Sequence, residues 1–268
     1  MNIEKKEIKV ERRGRPKKQI EEINFNSESI KLFRGSDLQF NESLFIPLKT
    51  NTEIDIILST EGGLMPGTSM MIAGGPGSGK STLVMDMLSK FTMQGLKCLF
   101  IQGEMDQIGH YKYCKRMPSF SCIQTLFLKD YMDNVKETIE HVFSLGYDVI
   151  GVDSVAEILS MYRDQNGGTS KQAESWFLKL QDDVKKGKNQ KGYYTSFINI
   201  QQVTKGDEFA GSNRLKHMME AFCKVERSKD GLERSLHFEK NRDCDKDFKV
   251  FFSIYQDGVF YAFNQNEE

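Results

Sequence analysis

Gly74-Gly75-Pro76-Gly77-Ser78-Gly79-Lys80-Ser81 satisfies the spacing G-x-x-x-x-G-K-[ST]. Such glycines let successive backbone N–H groups turn inward around phosphate oxygens, and a helix opening at the Lys-Ser pair presents its positive end to the same anion. In that arrangement Lys80 reaches the β- and γ-phosphates, Ser81 ligates magnesium, and Thr82 adds a hydroxyl near the α-phosphate. A plain glycine-rich turn would not account for Lys-Ser at a helix start. The pattern therefore predicts ATP and Mg²⁺ binding through Gly74 to Thr82.

A triphosphate with its metal needs a second anchor, a carboxylate at the end of a neighbouring strand. Val149-Ile150-Gly151-Val152-Asp153-Ser154 supplies one. An acidic residue emerging from an apolar strand is costly unless it faces a cation or water, so Asp153 is the expected partner of Ser81 at the metal.

These residues need elements to position them. Met70–Ala73, Cys98–Gln102, Val149–Val152 and Phe197–Ile200 are short apolar runs of the buried-strand type. Between them Leu83, Met87, Leu88 and Phe91 recur at helical spacing up to Gly95, as do Val135, Ile139, Val142 and Phe143 up to Gly146. Ala173, Trp176, Phe177, Leu180 and Val184 repeat the stripe before Gly187, and Arg163–Ser170 reads as a flexible loop. Ala221–Val225, Ser235–Glu239, Lys249–Ile254 and Val259–Phe263 look like an antiparallel extension, with Asp257-Gly258 turning its last hairpin. The expected fold is α/β, a mainly parallel central sheet flanked by helices with antiparallel strands at the C-terminal end.

Composition narrows the class further. The 268 residues are 38% hydrophobic and 28% charged, without an apolar run long enough to cross a bilayer. The first residues lack the apolar core of a secretory signal, so no membrane partner and a cytoplasmic location are expected, the host cytoplasm if the gene is a phage's. Five scattered cysteines fit neither a disulfide framework nor a zinc site. The net charge of −1 hides a basic start: residues 1–20 hold five Lys and three Arg against three Glu. Residues 1–43 read as a basic arm and linker, and 44–268 as the catalytic domain. Within the arm, Arg12-Arg13-Gly14-Arg15-Pro16 resembles an AT-hook, which implies contact of Arg13 and Arg15 with the minor groove of A·T-rich duplex DNA; a solvated tail is the alternative.

Four further segments, in order, resemble the RecA-like ATPases: first the core of RadA/Sms-type recombination proteins, next the DnaB-type replicative helicases. They are Gly62-Gly63-Leu64-Met65-Pro66-Gly67, Ile101-Gln102-Gly103-Glu104, the stretch from Gln202-Val203-Thr204-Lys205-Gly206 through Leu215-Lys216-His217-Met218, and Glu239-Lys240-Asn241-Arg242. The resemblance implies that Glu104 polarises the attacking water and Gln202 senses the γ-phosphate, although Gln201 beside it is an alternative. It implies that Lys240 and Arg242 reach into a neighbour's ATP site, as an arginine finger does in trans. Two apart on a strand, these cations share a face; an exposed strand edge kept soluble by charge is the other reading. The resemblance also implies a head-to-tail homo-oligomer, ring or filament, with single-stranded DNA in its channel. Lys205, Arg214 and Lys216 in the segment 203–216 are the expected phosphate contacts, against an ordinary surface loop.

The departures are as specific. The chain as given holds neither the four-cysteine zinc module nor the protease-like ring domain of RadA, nor the primase-binding domain of DnaB. Asp243-Cys244-Asp245 follows the Lys-Asn-Arg element, where those families usually continue with an aromatic or Asn and then Gly. RadA has a histidine at the position of Gln202, and the helicases a glutamine. Branch migration, strand exchange and unwinding all fit. A regulatory ATPase resembling KaiC, acting on protein partners without DNA, and a subunit that binds nucleotide without hydrolysing it are the rival readings.

Overall fold

The four doubly apolar runs become adjacent parallel strands, because a strand flanked by helices on both faces buries every side chain it carries. In the computed structural model, which describes residues 32–203, 211–228, 231, 233–245 and 249–262, they are β1 (Ser69–Gly74), β2 (Cys98–Gln102), β4 (Val149–Asp153) and β5 (Ser196–Gln202). An edge strand, β3 (Gln124–Phe127), pairs with β2, and β6 (Ala221–Arg227), β7 (Arg234–Asn241), β8 (Lys249–Tyr255) and β9 (Gly258–Ala262) follow. One nine-stranded sheet results, in the order β3-β2-β4-β5-β1-β6-β7-β8-β9.

Seven α-helices are described: α1 (Asp55–Leu58), α2 (Lys80–Met93), α3 (Gln107–Arg116), α4 (Val135–Ser144), α5 (Val155–Asn166), α6 (Ser170–Lys185) and α7 (Asn213–Met218). α2 covers one face of the sheet, its Leu83, Met87, Leu88 and Phe91 packing with Ile72, Ile198 and Ile200. The stripes of α4, α5 and α6 cover the other face over Met71, Ile150 and Phe197. Ala173, Phe177 and Val184 are buried in that layer, with Trp176 stacked on Tyr162 and donating to Glu140 Oε1 at 2.9 Å.

By contacts the chain divides into Met1–Phe40 and Asn41–Glu268. Within the first, the described residues hold a single 3₁₀ turn, Gly35–Asp37, in which Arg34 N donates to Asp37 Oδ2 at 2.9 Å. The nine-stranded sheet and the seven α-helices described belong to the second. Among the described residues no helix is long and apolar enough to cross a membrane.

Three expectations need correction. Ala221–Val225 is not part of the antiparallel extension alone: β6 runs parallel to β1 and turns antiparallel only toward β7. An apolar run reports burial but not its partner, which depends on the crossover through α7. Arg163–Asn166 is the last turn of α5, carried by Ile158, Leu159 and Met161 on the core side, and only Gly167–Thr169 separates it from α6. The last hairpin turns at Gln256-Asp257, while Gly258 pairs with Tyr255 as the first residue of β9.

The Gly-Gly-Leu-Met-Pro-Gly segment has a backbone explanation. Leu64 bridges Leu48 through reciprocal hydrogen bonds of 2.8 Å, and a Cβ on Gly63, at φ +140°, would stand 2.6 Å from Leu48 O. Only glycine permits that approach.

Candidate nucleotide site

Glycine-rich turns leave a strand and open a helix where the C-terminal ends of parallel strands gather, and here the turn from β1 into α2 does so beside β4 and β5. Gly79 caps α2 at φ +103°, with Ile254 Cδ1 of β8 and Arg234 Nε of β7 standing 2.8 and 3.2 Å from the position of an added Cβ. The phosphate loop is thus clamped between its own helix and the C-terminal strands. Lys80 is buried, and its ammonium donates to Gly74 O at 2.8 Å and Gly75 O at 2.9 Å. Burial lowers the Lys80 pKa, and the negative charges of Asp153 and Glu104 oppose that shift.

Asp153 ends β4 and is 3% exposed. Burial raises its pKa to about 6, against the Ser81 hydroxyl, Lys80 and the Gln102 amide, while Glu104 adds to the rise. A buried carboxylate beside a serine hydroxyl is a hard oxygen donor set of the kind magnesium takes. Its raised pKa reflects the desolvation that a divalent cation would offset. Ser81 and Asp153 therefore fit the metal expected of a nucleoside triphosphate.

Glu104 is placed by two backbone ties. Gly103 N donates to Asp153 O at 2.6 Å, drawing the end of β2 against β4. The Gln102 side chain then accepts from Glu104 N and Met105 N, both at 3.0 Å, and fixes the turn. Glu104 faces the same cavity as Lys80, and its Oε1 accepts a 3.0 Å hydrogen bond from Gln202 Nε2. Strand alternation separates Gln202 from Gln201: Gln202 continues the face of Ile198 and Ile200 and lines the cavity, whereas Gln201 is 2% exposed on the opposite face.

The cavity holds about 610 Å³ and is also lined by Pro76, Gly77, Gly79, Ser81, Thr82 and Asp153. Sequence reasoning missed six other lining residues: Tyr113 and Arg116 from α3, Arg234 from β7, Ile254 and Tyr255 from β8, and Gln256 from the last turn. Arg116 lies 4.6 Å from the Tyr113 ring centre as a cation–π pair. The i, i+3 spacing of Tyr113 and Arg116 downstream of Glu104 was the available signal; Arg234 had none.

Lys240 and Arg242 are not in this cavity. Arg242 follows the last residue of β7, its N donates to Glu220 O at 3.2 Å, and Glu220 N donates to Ser69 O at 2.9 Å. Arg242 therefore stands near the start of β1, about 17 Å along that strand from the phosphate loop. Lys240 donates to His217 O at 2.8 Å and to Met219 O. Asn241 Nδ2 donates to Ile57 O and Leu58 O, at 3.0 and 3.2 Å, tying the end of β7 to α1. Of the expected DNA contacts, Arg214 donates to Ser175 Oγ at 2.6 Å and Lys216 pairs with Glu239 at 2.5 Å. Arg13, Arg15 and Lys205 lie outside the described residues.

Solved structures with the same architecture include the RadB recombinase, at a TM-score of 0.59 and 18% identity over 80% of this chain and 98% of that one. The flagellar accessory protein FlaH of Methanocaldococcus jannaschii matches at a TM-score of 0.60 and 12% identity over 81% of this chain and 97% of its own. The fold is that of the RecA-like P-loop ATPases. By sequence, this RecA-like chain is 27% identical over 198 residues to the DNA repair protein RadA of Chlamydia pneumoniae, covering 74% of this chain and 42% of that protein. RadA of Mycobacterium tuberculosis matches at 25% over 210 residues, 77% of this chain and 41% of its own. The chain thus spans about two-fifths of the length of the curated relatives it matches. No family model matches it.

Proposed function

We propose that the chain hydrolyses ATP and couples hydrolysis to work on DNA, as a motor of the RadA and DnaB kind assembled head-to-tail into a ring or filament. The observation that carries this reading is the Glu104–Gln202 hydrogen bond inside the cavity that also holds Lys80, Ser81 and Asp153. Gln202 occupies one carboxylate oxygen of Glu104 and leaves the other to accept a proton from water. Water attacks the γ-phosphorus as the bond to the β,γ-bridging oxygen breaks, the water proton passes to Glu104, and ADP leaves with the bonding electron pair. Lys80, released from Gly74 O and Gly75 O, places its charge between the β- and γ-phosphates. Ser81 and Asp153 would hold magnesium, which when bound would offset phosphate charge.

Arg242 stands at the far end of β1 from its own phosphate loop, so as a finger it would complete the transition state at a neighbour's site. Head-to-tail contact closes into a ring or continues as a filament. The relatives named DNA repair protein RadA support DNA as the partner; single strands in the channel and A·T-rich duplex at the N-terminal arm are the contacts of this reading. Similarity in fold to FlaH, a flagellar accessory protein, favours a second reading in which hydrolysis regulates protein partners without DNA. ATPase rates with and without single-stranded DNA separate the two: stimulation supports the motor, an unchanged rate the regulatory ATPase, and no turnover in either condition a nucleotide-binding subunit.

A further inference from the structure

α7 is the helix that follows Gln202 in the chain, and it is tied to the Lys-Asn-Arg segment by contacts between side chains that sequence alone assigns elsewhere. At its start Ser212 Oγ donates to Glu174 Oε2 at 2.6 Å, and Arg214 donates to Ser175, so α6 holds one end. At its other end Lys216 pairs with Glu239 at 2.5 Å, with its ammonium 4.2 Å from the centre of the Phe222 ring. Glu239 also pairs with Lys224 at 3.0 Å. Lys240 caps the same helix end through the carbonyls of His217 and Met219. Free carbonyls at a helix C-terminus are natural partners of an ammonium group.

Register explains how neighbouring residues can both reach α7. Phe222 pairs with Lys240 but Cys223 pairs with Phe238, so Glu239 is the extra residue of a β-bulge. A bulge re-aims the side chain that a regular strand would send to the opposite face. Glu239 and Lys240, three and two residues before Arg242, thereby grip one helix together.

We propose that Glu239 is a positioning residue: with Lys216 and Lys240 it straps α7 to the segment ending in Arg242, so that the helix and the cation move as one piece. Lys216 and Lys240 are then parts of the strap in the subunit that carries them, rather than a DNA contact and a second prong of the finger. Of Lys216, Lys240 and Arg242, it is then Arg242 whose side chain is left to act across the interface. The direction of control follows: displacement of α7 relocates Arg242 with respect to the neighbouring subunit. This last step rests on the proposed motor function, whereas the strap does not.

Glu239→Gln is the discriminating variant, because it keeps the shape, breaks the charge pairing and removes a residue that cannot itself bind a phosphate backbone. The first measurement is hydrogen exchange of the full-length protein with and without a non-hydrolysable ATP analogue and Mg²⁺. The wild type should change protection at 213–219 and 239–242 together, and Glu239→Gln should lose the change at 239–242 while keeping it at 213–219. Parallel changes in both segments of Glu239→Gln, or a wild type in which only one segment responds, overturn the strap. The second measurement is ATPase activity with saturating single-stranded DNA. The ratio of DNA-stimulated to DNA-free rate should fall about fivefold or more in the variant, the size of a modest allosteric coupling. Stimulation kept within twofold overturns the link to Arg242. If the wild type is not stimulated by DNA, the motor function fails and the exchange result alone decides the strap.

Discussion

Gln202 Nε2 donates to Glu104 Oε1 at 3.0 Å, joining the ends of β5 and β2 across the end of β4, which lies between them in the sheet. One partner is a carboxylate able to take a proton and the other an amide that cannot, so the bond fixes which oxygen faces water. Glu104→Gln should leave ATP binding within about threefold of wild type while turnover falls by roughly 10²–10⁴, the contribution typical of a positioned general base. Gln202→Ala should fall less, about tenfold, because the base survives with its orientation loosened. Equilibrium binding of a fluorescent ATP analogue beside steady-state hydrolysis checks both. Loss of binding with retained turnover per bound nucleotide would make Glu104 structural.

Arg234 comes from β7 yet lies against Gly79 in the nucleotide cavity of its own subunit. Arg234→Ala should raise KM for ATP tenfold or more, as expected for about 1.5–3 kcal/mol of charged hydrogen bonding, with a smaller change in kcat. A kcat collapse at constant KM would place Arg234 in the transition state instead. Steady-state kinetics over a range of ATP concentrations distinguishes the two.

Asp86 locks the last hairpin onto α2. Its carboxylate pairs with Lys90 at 2.6 Å and accepts from Tyr261 Oη at 3.2 Å and Val259 N at 3.3 Å, all beneath the phosphate loop's helix. Asp86→Ala leaves the buried Tyr261 phenol and Val259 N without this acceptor, and the mostly buried Lys90 ammonium with only the 3.4 Å contact to Val259 O. It should cost about 3 kcal/mol, a fall of roughly 6–12 °C in Tm. Burial raises the Asp86 pKa despite Lys90. The folded protein then holds this proton to higher pH than the unfolded chain does, so its titration lowers stability as pH rises above the ordinary carboxylate range. The variant should flatten that part of the stability curve. Thermal melts across pH check both effects.

Much of this site was legible in the sequence because its parts are local. Gly74 to Ser81 carries its own turn and helix start, and Asp153 and Glu104 each end an apolar run. The remainder depends on contacts between distant segments. α3 buries none of its residues and β3 is partly exposed, so neither left a strong periodic signal, and Tyr113 and Arg116 went unread with them. Gln201 and Gln202 are identical in type, and only the phase of β5 separates them. The grip of Lys240 on the carbonyls of 217 and 219 exists only once β6 and β7 are paired with a bulge.

Residues 1–20, which lie outside the described residues, add a test by charge alone. Deleting residues 1–20 removes a net charge of about +5 and should flatten the slope of log affinity against log salt for A·T-rich duplex by up to about 4. Basal hydrolysis should stay near wild type, since none of the cavity-lining residues is lost. Fluorescence anisotropy at several salt concentrations measures the slope, and an unchanged slope would remove duplex contact from the arm.

Arg242 allows a test that no role within one subunit can imitate. Standing beside Glu220 at the start of β1, it cannot serve its own phosphate loop. Arg242→Ala should therefore leave ATP binding intact and reduce hydrolysis by roughly 10³ or more, the scale of an arginine finger. Lys80→Ala should be inactive for the opposite reason, with its own pocket disabled and its finger sound. Mixed under conditions that allow subunit exchange, the two variants form interfaces pairing an intact pocket with an intact finger, and activity should reappear. It should peak at intermediate mixing ratios, because each active interface needs one protomer of each kind. A cation that serves only solubility at a strand end predicts the reverse, an active Arg242→Ala and no complementation. Near-wild-type hydrolysis by Arg242→Ala, in oligomers verified by light scattering, would remove the finger and with it the principal argument for head-to-tail assembly.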